Sequence, residues 1–294
     1  MEHLLRRIQA ALDSAVAAGE AQGCPPALAL AIRHAVFSGG ARIRPQLCLA
    51  VALACGDDRP ELADGAAAAI ELLHCASLVH DDLPAFDDAA TRRGAPTVHR
   101  LHGERLAILA GDALIVCAFQ SLARAAVRAP ERLAPILETI GRGVGMPFGI
   151  VAGQAWECEP QVDLADYQRA KTGSLFAAAT MAGAQAAGSD PAPWRAFGDW
   201  LGEAYQVADD IRDAAADAEM IGKPTGRDVA LGRPSMAREL GVPEAIRRFD
   251  RLVAGTAAAI PSCRGAAQLR ALVTTESERL VPKTWARRSD RIAA

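Results

Sequence analysis

A helical spacing of apolar residues along most of the chain constrains the fold more than any other sequence feature. The segment from Ala66 to Val79 is apolar on almost every side, as expected of a helix buried in the middle of a bundle. Strand-like alternation of apolar and polar residues is nearly absent, and no repeat or low-complexity linker is visible. We therefore predict an all-α fold, with residues 1–294 forming a single large helical domain.

The composition agrees with this prediction and limits the expected partners. Hydrophobic residues make up 51% of the chain but aromatics only 4%, which favours helices over strands. A net charge of -3 indicates no strongly basic face, so nucleic acid is not an expected partner. The 7 cysteines are scattered and form no CxxC pair, which is typical of reduced thiols in a cytoplasmic protein. No uninterrupted apolar run approaches the roughly 20 residues that span a bilayer, so we expect no transmembrane segment.

Two dense aspartate clusters interrupt the apolar sequence, over residues 81–88 and 209–213. Carboxylates are costly to place in apolar surroundings unless cations neutralise them. Magnesium prefers carboxylate oxygens, keeps several waters and commonly bridges to substrate phosphates. A solvated acidic loop is the alternative for either cluster alone. We predict instead that the two clusters face each other across a cavity and hold a diphosphate through magnesium.

Spacing within the clusters indicates which carboxylates act together. Asp209 and Asp213 are one helical turn apart and share a face. Pro84 would disrupt a regular helix, so a bulge over residues 83–86 is predicted to return Asp87 to the face of Asp81.

Cationic residues accompany both clusters. Arg92 and Arg93 follow the first one, and such arginines suit bidentate contacts to a diphosphate. A long irregular stretch from residue 214 to about 234 follows the second cluster and is typical of an active-site lid. Its cations, which could reach phosphate oxygens or simply lie in solvent, are Lys223, Arg227 and Arg233.

Together these motifs resemble those of the trans-prenyl diphosphate synthases. The matching segments are Ser77–Asp88, Arg92–Gly94, Leu109–Leu114, Lys171–Gly173 and Gln206–Asp213. The segments that look most like geranylgeranyl diphosphate synthases of carotenoid-making bacteria are Gly40–Pro45, Cys75–His80 and Gly153–Glu157. The resemblance implies a helical bundle of the isoprenoid synthase type with a central cavity, usually homodimeric. It also implies magnesium-dependent, head-to-tail condensation of isopentenyl diphosphate with an allylic diphosphate.

The resemblance further implies a role for individual residues. The metal residues, for three magnesium ions per active site, are Asp81, Asp87, Asp209 and Asp213, with Asp82 in support. The allylic diphosphate contacts are Arg92, Lys171, Lys223 and Arg233. The isopentenyl diphosphate contacts are Arg44, His74 and Arg93. The catalytic residues near the allylic carbon are Lys171, Thr172 and Gln206.

Two positions, Ala41 and Arg233, depart from the family pattern. A third position, Ala76, bears on product length. Ala41 stands where a lysine is expected, which removes a cation from the isopentenyl site; Arg42 or a carboxy-terminal arginine (Arg287 or Arg288) could compensate. Arg233 replaces a lysine and keeps its charge. Ala76 lies five residues before Asp81, where an aromatic side chain tends to stop growth at fifteen carbons. The small side chain predicts the twenty-carbon product, geranylgeranyl diphosphate.

Four alternatives were weighed. A farnesyl diphosphate synthase differs only in product length. A terpene cyclase would share the fold and the first aspartate cluster, but it needs no arginine site for a second substrate. A non-catalytic partner subunit typically lacks aspartates that are present here. A ferritin-like di-metal oxidoreductase could use Glu71 and His74, but it needs a second Glu-x-x-His, which the chain lacks.

Overall fold

Helices dominate the computed structural model, which describes residues 2–161, 163–215 and 241–282. In chain order they are α1 (Glu2–Gly19), α2 (Pro26–Phe37), α3 (Ile43–Ala54), α4 (Pro60–Asp81), α5 (Val98–His102), α6 (Glu104–Ala125), α7 (Leu133–Val144), α8 (Ile150–Trp156), α9 (Leu164–Gln168), α10 (Ser174–Ala186), α11 (Arg195–Ala215), α12 (Val242–Ala258) and α13 (Ala266–Leu280). A π-helical turn, Arg169–Gly173, joins α9 to α10. The all-α prediction is confirmed; a single domain over the whole chain stays a prediction.

Helix α4 lies inside the bundle because nearly all of its sides are apolar. Its residues from Leu62 to Val79 are mostly buried. Small residues let α6 approach it closely: a Cβ on Gly65 would lie 2.3 Å from the Cβ of Ala125, and Gly111 leaves room for the ring of His80. The end of α4, which carries the first aspartate cluster, is therefore held rigidly.

Helix α11 is anchored on two sides. One side packs on α10, where a Cβ on Gly198 would lie 2.5 Å from the Cα of Ala177. The other side contributes Val207 and Ile211 to a second apolar cluster with Phe249 of α12. This anchoring fixes the helix that carries Asp209 and Asp213.

The strands in the described part of the chain form one short hairpin, of β1 (Thr91–Arg92) and β2 (Ala95–Pro96). Its two-residue turn is Arg93–Gly94, and both residues have positive φ, 56° and 77°. Two positive φ angles are the signature of a type I′ turn, whose twist matches that of the paired strands. The hairpin places Arg92 on a strand and Arg93 at the turn, so the two neighbouring side chains take different partners.

Among the described residues, two segments are long and apolar enough to cross a membrane by length and composition: Pro60–Asp81 and Glu104–Arg128. The first is α4, and 78% of its apolar window is buried within the bundle, as in a core helix. The second contains α6, and 39% of its window is buried. Length and composition alone do not show a span, and the predicted absence of a transmembrane segment stays a prediction.

Candidate active site

The first aspartate cluster forms where α4 ends. The helix stops at Asp81, and the backbone N–H of Asp87 donates to the Asp81 carbonyl oxygen at 2.9 Å. The residues predicted to form a bulge, 83–86, lie in a turn beyond the helix end, and this turn brings Asp87 back beside Asp81. The expected proximity of the two residues holds, since a hydrogen bond across the turn replaces helical periodicity.

The carboxylates of this cluster are only partly neutralised. Arg92 donates to the Asp82 Oδ1 from Nε at 2.9 Å and from Nη2 at 2.5 Å, and its Nη2 lies 3.7 Å from an Asp81 oxygen. Burial raises the pKa of both Asp81 and Asp82, against the opposing effect of nearby cations. The Asp81 Oδ1 is buried and accepts no hydrogen bond from the described residues. An unsatisfied buried carboxylate oxygen is the kind of atom that a metal ion would satisfy.

Lys171 lies next to this cluster on the π-helical turn. Its ammonium donates to the Oε1 of Glu157 and lies 3.7 Å from the Asp81 Oδ1. The Tyr167 hydroxyl donates to the same Glu157 oxygen at 2.5 Å. Single π-helical turns occur often at functional sites, because the extra residue redirects the side chains that follow. Here the turn places Lys171 opposite α4 and the next residue, Thr172, opposite α11.

Thr172 connects this region to the second aspartate cluster. Its hydroxyl donates to the Gln206 Oε1 at 2.7 Å, and the Gln206 Nε2 donates to the Asp210 Oδ1 at 3.1 Å. Asp209 on the same helix has a half-exposed side chain, 3.8 Å from the Arg212 Nη1. Asp213 lies one turn further along α11. Adjacent residues of one turn thus face the two clusters, as the predicted diphosphate site requires.

Arg44 and His74 form a second, cationic region. The Arg44 Nη1 donates to the His74 Nε2 at 3.3 Å, and the guanidinium stacks 4.4 Å from the centroid of the Phe176 ring. Burial and the neighbouring arginines lower the pKa of His74 well below its usual value, so the ring is neutral and accepts this hydrogen bond. The Arg44 Nε is buried and has no hydrogen-bond partner within the described ranges, which leaves an N–H donor for an anionic ligand.

Arg93 reaches the same region from the hairpin turn. Its Nη1 donates to the Gly39 carbonyl oxygen at 2.7 Å, and its Nη2 lies 3.8 Å from the buried Glu71 Oε1. The guanidinium fills the space that a side chain at Gly40 would need, since a Cβ there would lie 2.5 Å from the Arg93 Cζ. Gly40 has φ 117°, a backbone conformation that residues with a side chain rarely adopt, and this angle favours glycine at the position.

Arg42 does not replace the cation missing at Ala41. It adopts a left-handed backbone conformation with φ 52°, and its buried side chain points into the bundle. There its Nη1 donates to the Glu71 Oε1 at 2.5 Å and its Nη2 to the Val36 carbonyl oxygen. The compensation suggested for Arg42 is thus wrong, because Glu71 already engages it. Ala41 itself is exposed.

The remaining predicted residues fall into two groups. Ala76 is buried, with 2% of its surface exposed, one helical turn and a residue before Asp81 on α4. The other group lies outside the described residues and consists of Lys223, Arg227, Arg233, Arg287 and Arg288.

The donor set fits a hard divalent cation that prefers oxygen ligands, such as magnesium. In the described residues, no three His, Cys, Asp or Glu side chains gather into a preformed metal cluster. Magnesium does not require such a cage, because it is usually held by one or two carboxylates together with waters and substrate phosphates. The available donors are carboxylates, including the unsatisfied Asp81 Oδ1. The arrangement is that of a site completed by a phosphate-bearing ligand.

The structure shows contacts that the sequence analysis missed. Glu157 and Tyr167 hold Lys171, yet Glu157 was noted only within a motif and Tyr167 not at all. Glu71 was considered only as part of a di-metal motif, whereas its partners are Arg42 and Arg93. The available signal was the position of Glu71 in the apolar middle of α4, because a buried glutamate needs a cationic partner.

Comparison with known proteins identifies the same family that the sequence motifs resemble. The polyprenyl synthetase family model matches residues 25–246. The geranylgeranyl diphosphate synthase of Cereibacter sphaeroides is 54% identical over 96% of this chain and 98% of its own length. The enzyme of the same name from Rhodobacter capsulatus is 48% identical over 94% of this chain and 96% of its own length.

Solved structures agree in fold. A geranyltransferase from Helicobacter pylori, complexed with magnesium and isoprenyl diphosphate, has a TM-score of 0.77 at 28% identity and covers 92% of this chain and 97% of its own. A geranyltransferase from Legionella pneumophila has a TM-score of 0.80 at 26% identity and covers 95% of each chain. With the family model matching most of its length, the chain belongs to the polyprenyl synthetase family.

Proposed function

We propose that this protein condenses isopentenyl diphosphate head to tail with an allylic diphosphate and releases geranylgeranyl diphosphate. The observation that carries the proposal is the pair Lys171 and Thr172. The first residue lies beside the α4 carboxylates, and the second bonds to Gln206 of α11. One backbone turn thereby joins two acidic regions, and an arginine-rich region lies close by. Family membership and the two relatives named geranylgeranyl diphosphate synthase support the same activity.

The acidic side is the proposed allylic subsite. Asp81, Asp87 and Asp209 would hold magnesium, with three ions expected, and Asp213 would support them. Bound magnesium supplies positive charge that stabilises the departing diphosphate. Lys171 and Arg92 add fixed positive charge at the same place, which lowers the barrier to breaking the allylic C–O bond.

The chain's own residues then guide the carbon chemistry. The oxygen dipoles of the bonded pair Thr172 and Gln206 would stabilise the allylic cation, while Arg44, His74 and Arg93 orient the second diphosphate. The isopentenyl double bond attacks the cation, and the released diphosphate takes the proton that is lost. An apolar bundle keeps water, which would capture the cation, away from it.

Incubation of the protein with magnesium, isopentenyl diphosphate and farnesyl diphosphate tests the proposal. A longer prenyl diphosphate is the expected product. A hydrocarbon would point to a terpene cyclase, and no turnover to a non-catalytic subunit; either outcome would overturn the proposal.

Ala76 is the proposed determinant of product length. Its methyl group is buried, and so small a side chain would leave more room for a growing tail below Asp81 than an aromatic ring would. The variant Ala76→Tyr should shift the product from twenty to fifteen carbons, because the ring would fill that space. Chromatography of the dephosphorylated products measures the shift. An unchanged profile in a variant that keeps its activity would contradict this assignment.

We also propose a homodimer formed through the outer face of α6. Helix α6 is strongly apolar, and some of its large apolar side chains remain about half exposed on the outer face. These side chains are Ile108, Leu109 and Val116. A second copy of this chain would cover them, since an isologous contact buries the same patch twice. Light scattering after size-exclusion chromatography should give twice the chain mass, and Val116→Glu should give the monomer. A cytoplasmic location and a role in carotenoid formation stay predictions.

A further inference from the structure

We propose that Glu157 is a positioning residue that holds the Lys171 ammonium away from Asp81, so that the Asp81 carboxylate remains open to magnesium. The inference rests on the function proposed above and assigns a role to a carboxylate that is not itself a predicted metal or substrate contact.

Three neighbours hold the Glu157 carboxylate in place. The Tyr167 hydroxyl and the Lys171 ammonium both donate to Oε1, and the Gln154 Nε2 donates to Oε2 at 3.3 Å. Each carboxylate oxygen therefore has a protein donor. A carboxylate restrained in this way offers Lys171 a fixed partner instead of a mobile one.

The backbone supports the same geometry. Glu157 directly follows α8, one helical turn after Gly153. A Cβ on Gly153 would lie 2.4 Å from the Lys171 Cα, so only glycine lets α8 approach the π-helical turn this closely. Because residues four apart share a helix face, the contact at Gly153 directs Glu157 toward the Lys171 side chain.

Among the described residues, Lys171 has two acidic neighbours and hydrogen-bonds to one of them. The ammonium bonds to Glu157, whereas the Asp81 Oδ1 lies 3.7 Å away, beyond hydrogen-bond range. Lysine is a flexible point charge, and no residue in the described ranges donates a hydrogen bond to this buried Asp81 oxygen. Without Glu157, the ammonium would move onto Asp81 and compete with magnesium for that oxygen.

Glu157→Gln tests this competition directly. The readout is calorimetric binding of inorganic pyrophosphate to the full-length protein at increasing magnesium concentration. We expect the variant to need about tenfold more magnesium for half-maximal binding, a typical effect of removing a residue that orients a metal ligand. Glu159→Gln is the matched control, because Glu159 is exposed two residues further on, and it should leave the magnesium requirement unchanged. Glu157→Asp should restore part of the wild-type behaviour.

A double variant separates positioning from simple loss of negative charge. In a Lys171→Gln background there is no ammonium to occupy Asp81, so Glu157→Gln should change the magnesium requirement by less than about twofold. An unchanged tenfold effect in that background would mean that Glu157 acts without Lys171 and would overturn the proposal. A Glu157→Gln variant with the wild-type magnesium requirement would overturn it as well.

Tyr167→Phe provides a second route if Glu157→Gln does not fold. It removes one hydrogen bond to Glu157 and should raise the magnesium requirement by up to about fivefold. No change in this variant, with thermal unfolding like that of the wild type, would count against the proposal. Failure of the wild-type protein to bind pyrophosphate with magnesium would instead contradict the proposed function itself, so the two failures are distinguishable.

Discussion

The region around Asp81 and the region around Arg44 lie close together, but their charges are unbalanced in opposite senses. Around Asp81, carboxylates lie close together, and one buried Asp81 oxygen accepts no hydrogen bond from the described part of the chain. Around Arg44, guanidinium groups surround a neutral histidine, and the Arg44 Nε has no acceptor among the residues that the structure describes. The first region is therefore suited to metal cations and the second to an anion. A diphosphate bound with metal cations in the first region, and a second diphosphate bound in the other, would balance the charge of both regions.

In both regions a glutamate restrains the flexible cations, but the burial of that glutamate differs. Lys171 is held by Glu157, a partly buried carboxylate on a different helix. Arg42 and Arg93 are both near Glu71, which is 1% exposed. A carboxylate, fully buried for Glu71 and partly buried for Glu157, thus orients cations in each region, although neither glutamate is a predicted ligand. We therefore expect a substitution in the region around Arg44 to change the KM for isopentenyl diphosphate and to leave the KM for the allylic substrate nearly unchanged.

The largest effect is expected for Asp81→Asn. Loss of a proposed magnesium ligand should lower kcat at least about a hundredfold, since electrostatic stabilisation of the leaving group is the main catalytic contribution. Stability should not fall, because burial already raises the pKa of this carboxyl and therefore disfavours its charge. Steady-state kinetics and thermal unfolding measure the two quantities. A variant with near-normal kcat would contradict the assignment of Asp81.

A smaller, substrate-specific effect is expected for Arg44→Gln. Loss of a charged hydrogen-bond donor should raise KM for isopentenyl diphosphate by about tenfold or more and leave KM for the allylic substrate nearly unchanged. Initial rates with each substrate varied in turn provide the measurement. Arg270→Gln, which alters an exposed arginine on α13, is the control. An equal rise in both KM values would contradict the assignment of Arg44 to the isopentenyl diphosphate site alone.

The smallest effect is expected for Ala41→Lys. The position is exposed and adjoins the glycine turn that Arg93 contacts. A cation added there should lower KM for isopentenyl diphosphate by at most about fivefold, because exposed charges interact weakly in water. The effect should shrink as salt concentration rises. A lower KM for the allylic substrate instead would mean that Ala41 lies near the region around Asp81, which would contradict its assignment to the region around Arg44.

The local geometry within each aspartate cluster could be predicted because its residues are close in sequence. Asp209 and Asp213 share a helix face by spacing alone, and the return of Asp87 to Asp81 needs only a short turn. The details of that turn could not be predicted, since Pro84 is compatible both with a bulged helix and with a helix end. The role of Arg42 was also open, because its sequence position does not reveal that its backbone is left-handed.

The sequence by itself determined the helices, the two acidic clusters and the family, because each depends on residue type at short, regular spacing. Only the tertiary structure decided which charged groups pair. Glu157 meets Lys171 across 14 positions, Arg42 meets Glu71 across 29, and Thr172 meets Gln206 across 34. Such pairs depend on how helices pack against one another, as at Gly153, where the absence of a side chain lets α8 approach the backbone of Lys171. Helical periodicity is a local property, whereas the neutralisation of a buried charge depends on every element that packs around it.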